Sequence, residues 1–198
     1  SYTVAYNSNG GSSAPGSSSV LYGSTVSVVS SASNPTRSGY NFAGWNTVAN
    51  GSGTAQAAGS TFVMPGNNVT LFAQWTAINY NATYNGNAPS GQSVTGSQSD
   101  ATNYISGATV TALNAGTLAV TGYRFVGWNT RADGTGSDYV AGGTLSMPVG
   151  GVTLYAKWVL SSIRLTYDAN LGAGAPPAET QTAGSTVNLS TTVPTRAG

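Results

Sequence analysis

GYNFAGWNT at residues 39–47 returns as GYRFVGWNT at 122–130, an offset of 83. The same offset carries Met64-Pro65 onto Met147-Pro148 and NVTLFAQW at 68–75 onto GVTLYAKW at 151–158. Trp45 and Trp75 stand 30 residues apart, as do Trp128 and Trp158. Upstream, YTVAYN at 2–7 matches YNATYN at 80–85 and IRLTYD at 163–168. GSTV at 23–26 matches GATV at 107–110 and GSTV at 184–187, and PTRSG at 35–39 matches PTRAG at 194–198. Ordered self-similarity at a fixed period is the signature of a tandem array. The units are 1–76, 77–158 and 159–198, the last being the first half of a third module that stops where its GYxFxGW strand would begin. The expectation is a piece of a longer array, with no signal peptide in view because Ser1 already lies in a strand pattern.

The spacing also locates variation. Tyr6 to Gly23 and Tyr167 to Gly184 are both 17 residues, whereas Tyr84 to Gly107 is 23. The second unit therefore carries six extra residues within GNAPSGQSVTGSQSDATN at 86–103, a polar Gly/Ser-rich stretch that reads as a lengthened surface loop.

Hydrophobic residues alternate with period two. Tyr2, Val4 and Tyr6 share one parity, as do Tyr80, Ala82 and Tyr84, and Ile163, Leu165 and Tyr167. Val69, Leu71, Ala73 and Trp75 form one apolar face, repeated by Val152, Leu154, Ala156 and Trp158. The opposite parity mixes Thr70, Phe72 and Gln74 with their counterparts Thr153, Tyr155 and Lys157, which predicts sheets with one buried and one partly covered face. A second strand is expected near Leu21–Val28 and Ile105–Ala112. In GYxFxGW, Tyr40 and Phe42 share a parity that Trp45 breaks, and Gly44 between them permits a bulge that returns Trp45 to the core. The expected core is Tyr6, Tyr40, Phe42, Trp45, Leu71, Trp75, Tyr84, Tyr123, Phe125, Trp128, Leu154 and Trp158. Asn9-Gly10-Gly11, Asn50-Gly51, Pro65-Gly66-Asn67 and Asn85-Gly86 supply turns. The one helical expectation is a single turn at Ala55–Ala58. The fold class is mainly β, antiparallel or mixed, with little or no helix.

Composition excludes several functions. Lys and Arg number 6, Asp and Glu 5, and His and Cys are absent, so there is no histidine base, thiolate or disulfide. Six scattered cations make no nucleic-acid groove, and no apolar run reaches the ~20 residues of a membrane helix. Glycine at 27 of 198 and aromatics at 10% fit a turn-rich β chain better than a disordered one.

GYxFxGW, then Met-Pro, then VTLYAxW, resembles the Listeria–Bacteroides repeat family, also called the internalin-type B-repeat. The resemblance implies small β-grasp-like modules in tandem on secreted or wall-anchored bacterial proteins such as adhesins. It brings no catalytic or cofactor residues with it. The low charge departs from a basic glycan-binding surface, the only cations being Arg37, Arg124, Arg131, Lys157, Arg164 and Arg196.

The remaining chemistry is thin. Asp133 and Asp138 could imitate a carboxylate pair, but their counterparts Asn50 and Ala55 cannot. RADGTGSD at 131–138 has the oxygen content of a weak cation loop but lacks the carboxylates of a built calcium site. Lys157 is the only lysine available for an isopeptide crosslink, and the first unit has Gln74 there. The sequons at Asn50, Asn68, Asn81 and Asn188 follow from composition. The reading is thus a non-catalytic structural or adhesive repeat at the bacterial surface, without metal or cofactor. Its candidate partners are neighbouring repeats, other copies of the chain, and surface proteins or glycans. The alternative is a carbohydrate- or protein-binding module using exposed aromatics, for which a shared cleft among Tyr22, Tyr104, Tyr123 and Tyr139 would argue.

Overall fold

A computed structural model describes residues 1–30 and 33–196. The final two residues of the PTRAG match, Ala197 and Gly198, therefore lie outside the described residues. Strands run, in chain order, β1 Tyr2–Asn7, β2 Ser18–Val20, β3 Thr25–Ser27, β4 Tyr40–Asn46, β5 Ala55–Gln56, β6 Thr61–Val63 and β7 Val69–Ala77. There follow β8 Asn79–Tyr80, β9 Ala82–Asn85, β10 Val94–Thr95, β11 Tyr104–Ile105, β12 Thr109–Thr111 and β13 Ala119–Val120. The chain continues with β14 Tyr123–Asn129, β15 Asp138–Tyr139, β16 Thr144–Ser146, β17 Val152–Leu160, β18 Ser162–Leu165 and β19 Glu179–Thr182. No α-helix occurs among the described residues. The chain divides into a unit of 1–80, 103–108 and 146–150, and a unit of 81–102, 109–145 and 151–198.

The first unit holds a five-stranded mixed sheet in the order β2-β1-β7-β4-β5. β1 and β7 are parallel, with Val4 opposite Val69 and Tyr6 opposite Leu71. β4 joins β7 antiparallel, and its register slips between Phe42 and Gly44. Gly44 has φ of 118°, a region side chains avoid, and the slip is the bulge that brings Trp45 to the core face. There Trp45 meets Tyr6 edge-on at 4.8 Å and Phe42 at 5.2 Å, while Phe42 meets Trp75 at 5.7 Å. Val4, Val26, Val28, Met64, Leu71 and Ala73 complete the core. Alternation decides this packing: Leu71 and Ala73 go in, while Thr70 between Val69 and Leu71 stays out.

The second unit repeats the design with β15-β14-β17-β9. β9 is parallel to β17, with Ala82 opposite Val152 and Tyr84 opposite Leu154. The register of β14 slips between Phe125 and Gly127. Gly127 has φ of 142°, and a Cβ there would lie 2.6 Å from the Tyr139 carbonyl, so this bulge admits no side chain. Tyr84 meets Trp128 at 4.7 Å, Phe125 meets Trp128 at 4.9 Å, and Phe125 meets Trp158 at 5.8 Å. Around them pack Ala112, Leu154 and Ala156. The protein is thus mainly β, built on two tandem mixed-sheet modules.

One hairpin register occurs at all three repeats. Tyr2 faces Val20, Tyr80 faces Tyr104 and Ile163 faces Gln181. The bridge Ser12–Thr36 has its counterpart in Ala173–Thr195. Leu189 near the C-terminus is 69% exposed, where the matching Val28 and Ala112 are 2% and 1% exposed.

Three expectations fail. The strand expected near Leu21–Val28 is broken: β2 ends at Val20, the chain turns at Gly23 with φ of 75°, and only β3 lies within that span. Ile105–Ala112 splits likewise at Gly107, φ 84°. Ala55–Ala58 holds no helical turn: Ala55 and Gln56 form β5, paired with Asn46 and Trp45. Tertiary pairing overrides the weak helix preference of a short alanine-rich stretch.

Candidate functional site

Trp45, Leu71, Trp128 and Leu154 are fully buried. Tyr6, Tyr40, Phe42, Trp75, Tyr84, Tyr123, Phe125 and Trp158 are half-buried. Trp128 donates its indole N–H to the Leu113 carbonyl at 2.6 Å, while Trp45 Nε1 has no partner among the described residues. Trp75 and Trp158 instead tie the sheet to the loop after the first strand. Trp75 Nε1 donates to the Ser8 and Asn9 carbonyls at 3.1 Å each, and Trp158 Nε1 to the Gly86 carbonyl at 2.8 Å.

Asparagines organise both loop systems. Asn46 and Asn129, 3% and 1% exposed, stand directly after the core tryptophans. The Asn46 amide donates to the Gly51 and Gly53 carbonyls, and its oxygen accepts from the Val48 and Gly53 N–H groups. Asn129 makes the same bonds with Gly134, Gly136 and Arg131. A second pair, Asn9 and Asn87, bonds the Ala49 and Ala73 carbonyls and the Ala132 and Ala156 carbonyls respectively. Their φ values of 46° and 43° lie in the left-handed region that asparagine tolerates. The expected turn at Asn85-Gly86 is thus centred two residues later, on Asn87. None of these four asparagines is picked out by a search for reactive groups. The available signal is that GWN recurs with glycines five and seven residues after the Asn in both copies.

A tyrosine hydroxyl provides a third repeated contact. Tyr6 accepts from Val29 N–H, Tyr84 from Leu113 N–H and Tyr167 from Ser190 N–H. Burial raises the Tyr84 pKa, against the opposing effect of the Leu113 N–H.

The two candidate carboxylates are held apart in function. Asp133 accepts from the Thr135 N–H and hydroxyl, which lower its pKa. Asp138 receives Lys157 Nζ at 2.6 Å and the Asn129 amide, and these two bonds in that order lower its pKa. Both are therefore ionised acceptors at neutral pH, whereas a general acid requires a raised value. The 131–138 loop folds around the Asn129 side chain, which bonds Arg131, Gly134, Gly136 and Asp138. Among the described residues no cluster of three potential metal ligands occurs. Lys157 engages Asp138 rather than an asparagine. Of Tyr22, Tyr104, Tyr123 and Tyr139, Tyr22 is exposed, at 74%, and the other three are half-buried.

One concavity lies in the second unit. Loop 87–90, loop 131–134 and the end of β17 at 156–158 border a cleft of about 320 Å³. Most of the six extra residues lie here, between Asn87 and Thr95. In the first unit the equivalent ground is filled. A Cβ on Gly11 would fall 2.4 Å from Trp75, so the Gly11 backbone lies directly against the ring. The Arg37 guanidinium lies near Gly10 and 4.0 Å above the Tyr40 ring centre.

Residues 2–74 and 80–157 each match the family model of the Listeria-Bacteroides repeat domain. A protein of Evansella cellulosilytica named "Putative Gly-rich membrane protein" is 36% identical over 79% of this chain and 18% of its own length. A second protein of that organism, named as a membrane protein in the same manner, is 35% identical over 83% of this chain and 23% of its own. Internalin H of Listeria monocytogenes is 32% identical over 63% of this chain and 20% of its own. This chain thus spans about a fifth of the length of the curated relatives it matches. No solved structure matches.

Proposed function

The chain belongs to the Listeria-Bacteroides repeat domain family, and we propose that it is a non-catalytic repeat segment of a bacterial cell-surface protein. Its work is to extend and display, as a structural or adhesive stalk. The observation that carries this reading is the reproduction of one register, one aromatic trio and one asparagine-centred loop in each full copy. A chain that multiplies a core made from local residues gains length without new chemistry. Relatives named as membrane proteins and as an internalin support placement at the cell envelope.

In this reading the modules are 1–76 and 77–158, and 159–198 is the first half of a third. Ten of the twelve aromatic and leucine positions named from the sequence carry the module cores in this reading, Tyr40 and Tyr123 lying outside the two core clusters. A β-grasp-like topology is supported by the central parallel pairing of first and last strands, with no α-helix among the described residues of the crossover. The partners are neighbouring repeats, with further copies, surface proteins and glycans as outer contacts. An antibody raised against the 198-residue chain tests placement. Labelling of intact cells of the source organism is expected. Labelling only after permeabilisation overturns the reading.

A further inference from the structure

The second module differs from the first chiefly at one place, and the difference makes a cavity. In the first module Gly11 lies against the edge of Trp75, where a Cβ would fall 2.4 Å from the ring, while Gly10 beside it borders the Arg37 guanidinium. In the second, Ala88, Pro89 and Ser90 replace them within a longer loop, and a cleft of about 320 Å³ stands beside Trp158. That volume lies at the small end of the ~300–1,000 Å³ typical of small-molecule sites.

Its walls have a definite chemistry. Trp158 is immobilised by its bond to the Gly86 carbonyl at 2.8 Å, so the indole offers carbon surface rather than a donor. Pro89 adds a second rigid apolar wall. The polar rim carries the Arg131 guanidinium, which forms no ion pair among the described residues, and the Asp133 carboxylate. Lys157 also borders the cleft, but its ammonium is neutralised by Asp138 at 2.6 Å. Arg131 and Asp133 carry opposite charges without forming an ion pair among the described residues, so the cleft has no net charge to select an ion. A guanidinium supplies fixed donors and a carboxylate supplies acceptors, the pair that a ring of hydroxyls satisfies from both sides.

We propose that this cleft binds a neutral saccharide of one or two pyranose rings, with an apolar sugar face against Trp158 and hydroxyls on Arg131 and Asp133. It is a binding function of the second module alone, and it goes beyond the stalk reading, since a stalk requires no cleft. The two modules share their scaffold, so the first serves as an internal control.

The test is an amide NMR titration of the full chain with cellobiose, with N,N′-diacetylchitobiose and with glucuronate. Either neutral disaccharide should shift residues 87–90, 131–134 and 156–158 with millimolar saturation, while residues 9–11, 49–51 and 73–75 stay still. Which disaccharide binds tells whether the site takes plain or N-acetylated sugars. Exposed Arg131→Ala should weaken binding about tenfold, the worth of one charge-assisted hydrogen bond. Replacing 88–93 by Gly-Gly should abolish it without changing the first-module spectrum. No shift with either disaccharide at tens of millimolar overturns the proposal. So do equal shifts in both modules, tighter binding of glucuronate than of either neutral sugar, and unaltered binding by Arg131→Ala.

Discussion

The first and second modules agree in strand register, aromatic trio and loop asparagines, and diverge in the bond of the core indole and at the rim beside Trp75 and Trp158. Both place a tryptophan on the core face through a glycine bulge, and both close the following loop on a buried asparagine. At position 74 the first has Gln, whose amide donates to the Ala49 and Phe72 carbonyls. The second has Lys157 there, paired with Asp138. The first seals Trp75 with Gly11; the second opens a cleft beside Trp158. Repetition has fixed the scaffold and left one rim free to vary. The C-terminal segment adds a third point of comparison. It keeps the hairpin register and the tyrosine latch, yet leaves Leu189 exposed, so the register is set locally and the core is not.

The comparison breaks most sharply at the tryptophans. Trp45→Ala and Trp128→Ala should each cost ~3–5 kcal/mol, the range for a large aromatic deleted from a packed interior. A loss of that size rivals the whole stability of a small domain. Residue-resolved thermal melts should show each substitution unfolding its own module first. If Trp45→Ala melts both modules together, the cores are not independent.

The asparagine hubs come next. Asn46→Ala and Asn129→Ala each strip a loop of its four shared hydrogen bonds, at about 1–3 kcal/mol for groups left without partners. Hydrogen exchange should rise selectively at Val48 and Gly53 in the one case and at Arg131 and Gly136 in the other. Equal protection in variant and wild type would mean that the loops hold themselves closed without the amide.

Gly11→Ala sharpens the difference between modules rather than their likeness. The new methyl would lie 2.4 Å from Trp75 and 2.8 Å from the Thr36 carbonyl. Backbone has little room to yield, and overpacking of this kind costs about 1–3 kcal/mol. The matching change Pro89→Ala sits beside open space in the second module and should be near neutral. Comparable melting shifts for the two would erase the distinction between a sealed and an open rim.

The strand faces and the bulge follow from period-two alternation, and a glycine at the parity break signals the slip at Gly44 and Gly127. The turns at Gly23 and Gly107 are hidden for the opposite reason. Leu21 and Tyr22 look like strand residues, yet they are 66% and 74% exposed, and only the positive φ of Gly23 gives the turn away. Ala55 and Gln56 have no strand preference and become one through β4. The asparagine hubs escape notice because an Asn near glycines is the ordinary composition of a surface turn, whereas burial is a property of the assembled sheet. The cleft is harder still. A six-residue excess announces a longer loop, but whether that loop seals or uncovers Trp158 depends on where the chain crosses the ring.

The smallest expected effect is acid sensitivity confined to the second module. Lys157 and Asn129 hold the Asp138 pKa below its usual value, and Thr135 does the same for Asp133. A carboxylate with a depressed folded value stabilises the fold at any pH above its unfolded value. That contribution is lost as pH falls past the unfolded value and through the folded one. The first module has Ala55 and Asn50 at the matching positions and should show no such loss. Melting temperatures followed from neutral to strongly acidic pH should therefore fall for residues of the second module while those of the first stay level. Asp133→Asn preserves the turn, since Asn50 already accepts from Ser52 N–H in the first module, and should leave most of the fall in place. Lys157→Gln removes the leading cause of the Asp138 shift and should remove most of it. The pair is exposed, so added salt should shrink the effect as well. A fall of equal size in Lys157→Gln, or in the first module, would locate the acid response elsewhere and leave the two rims electrostatically alike.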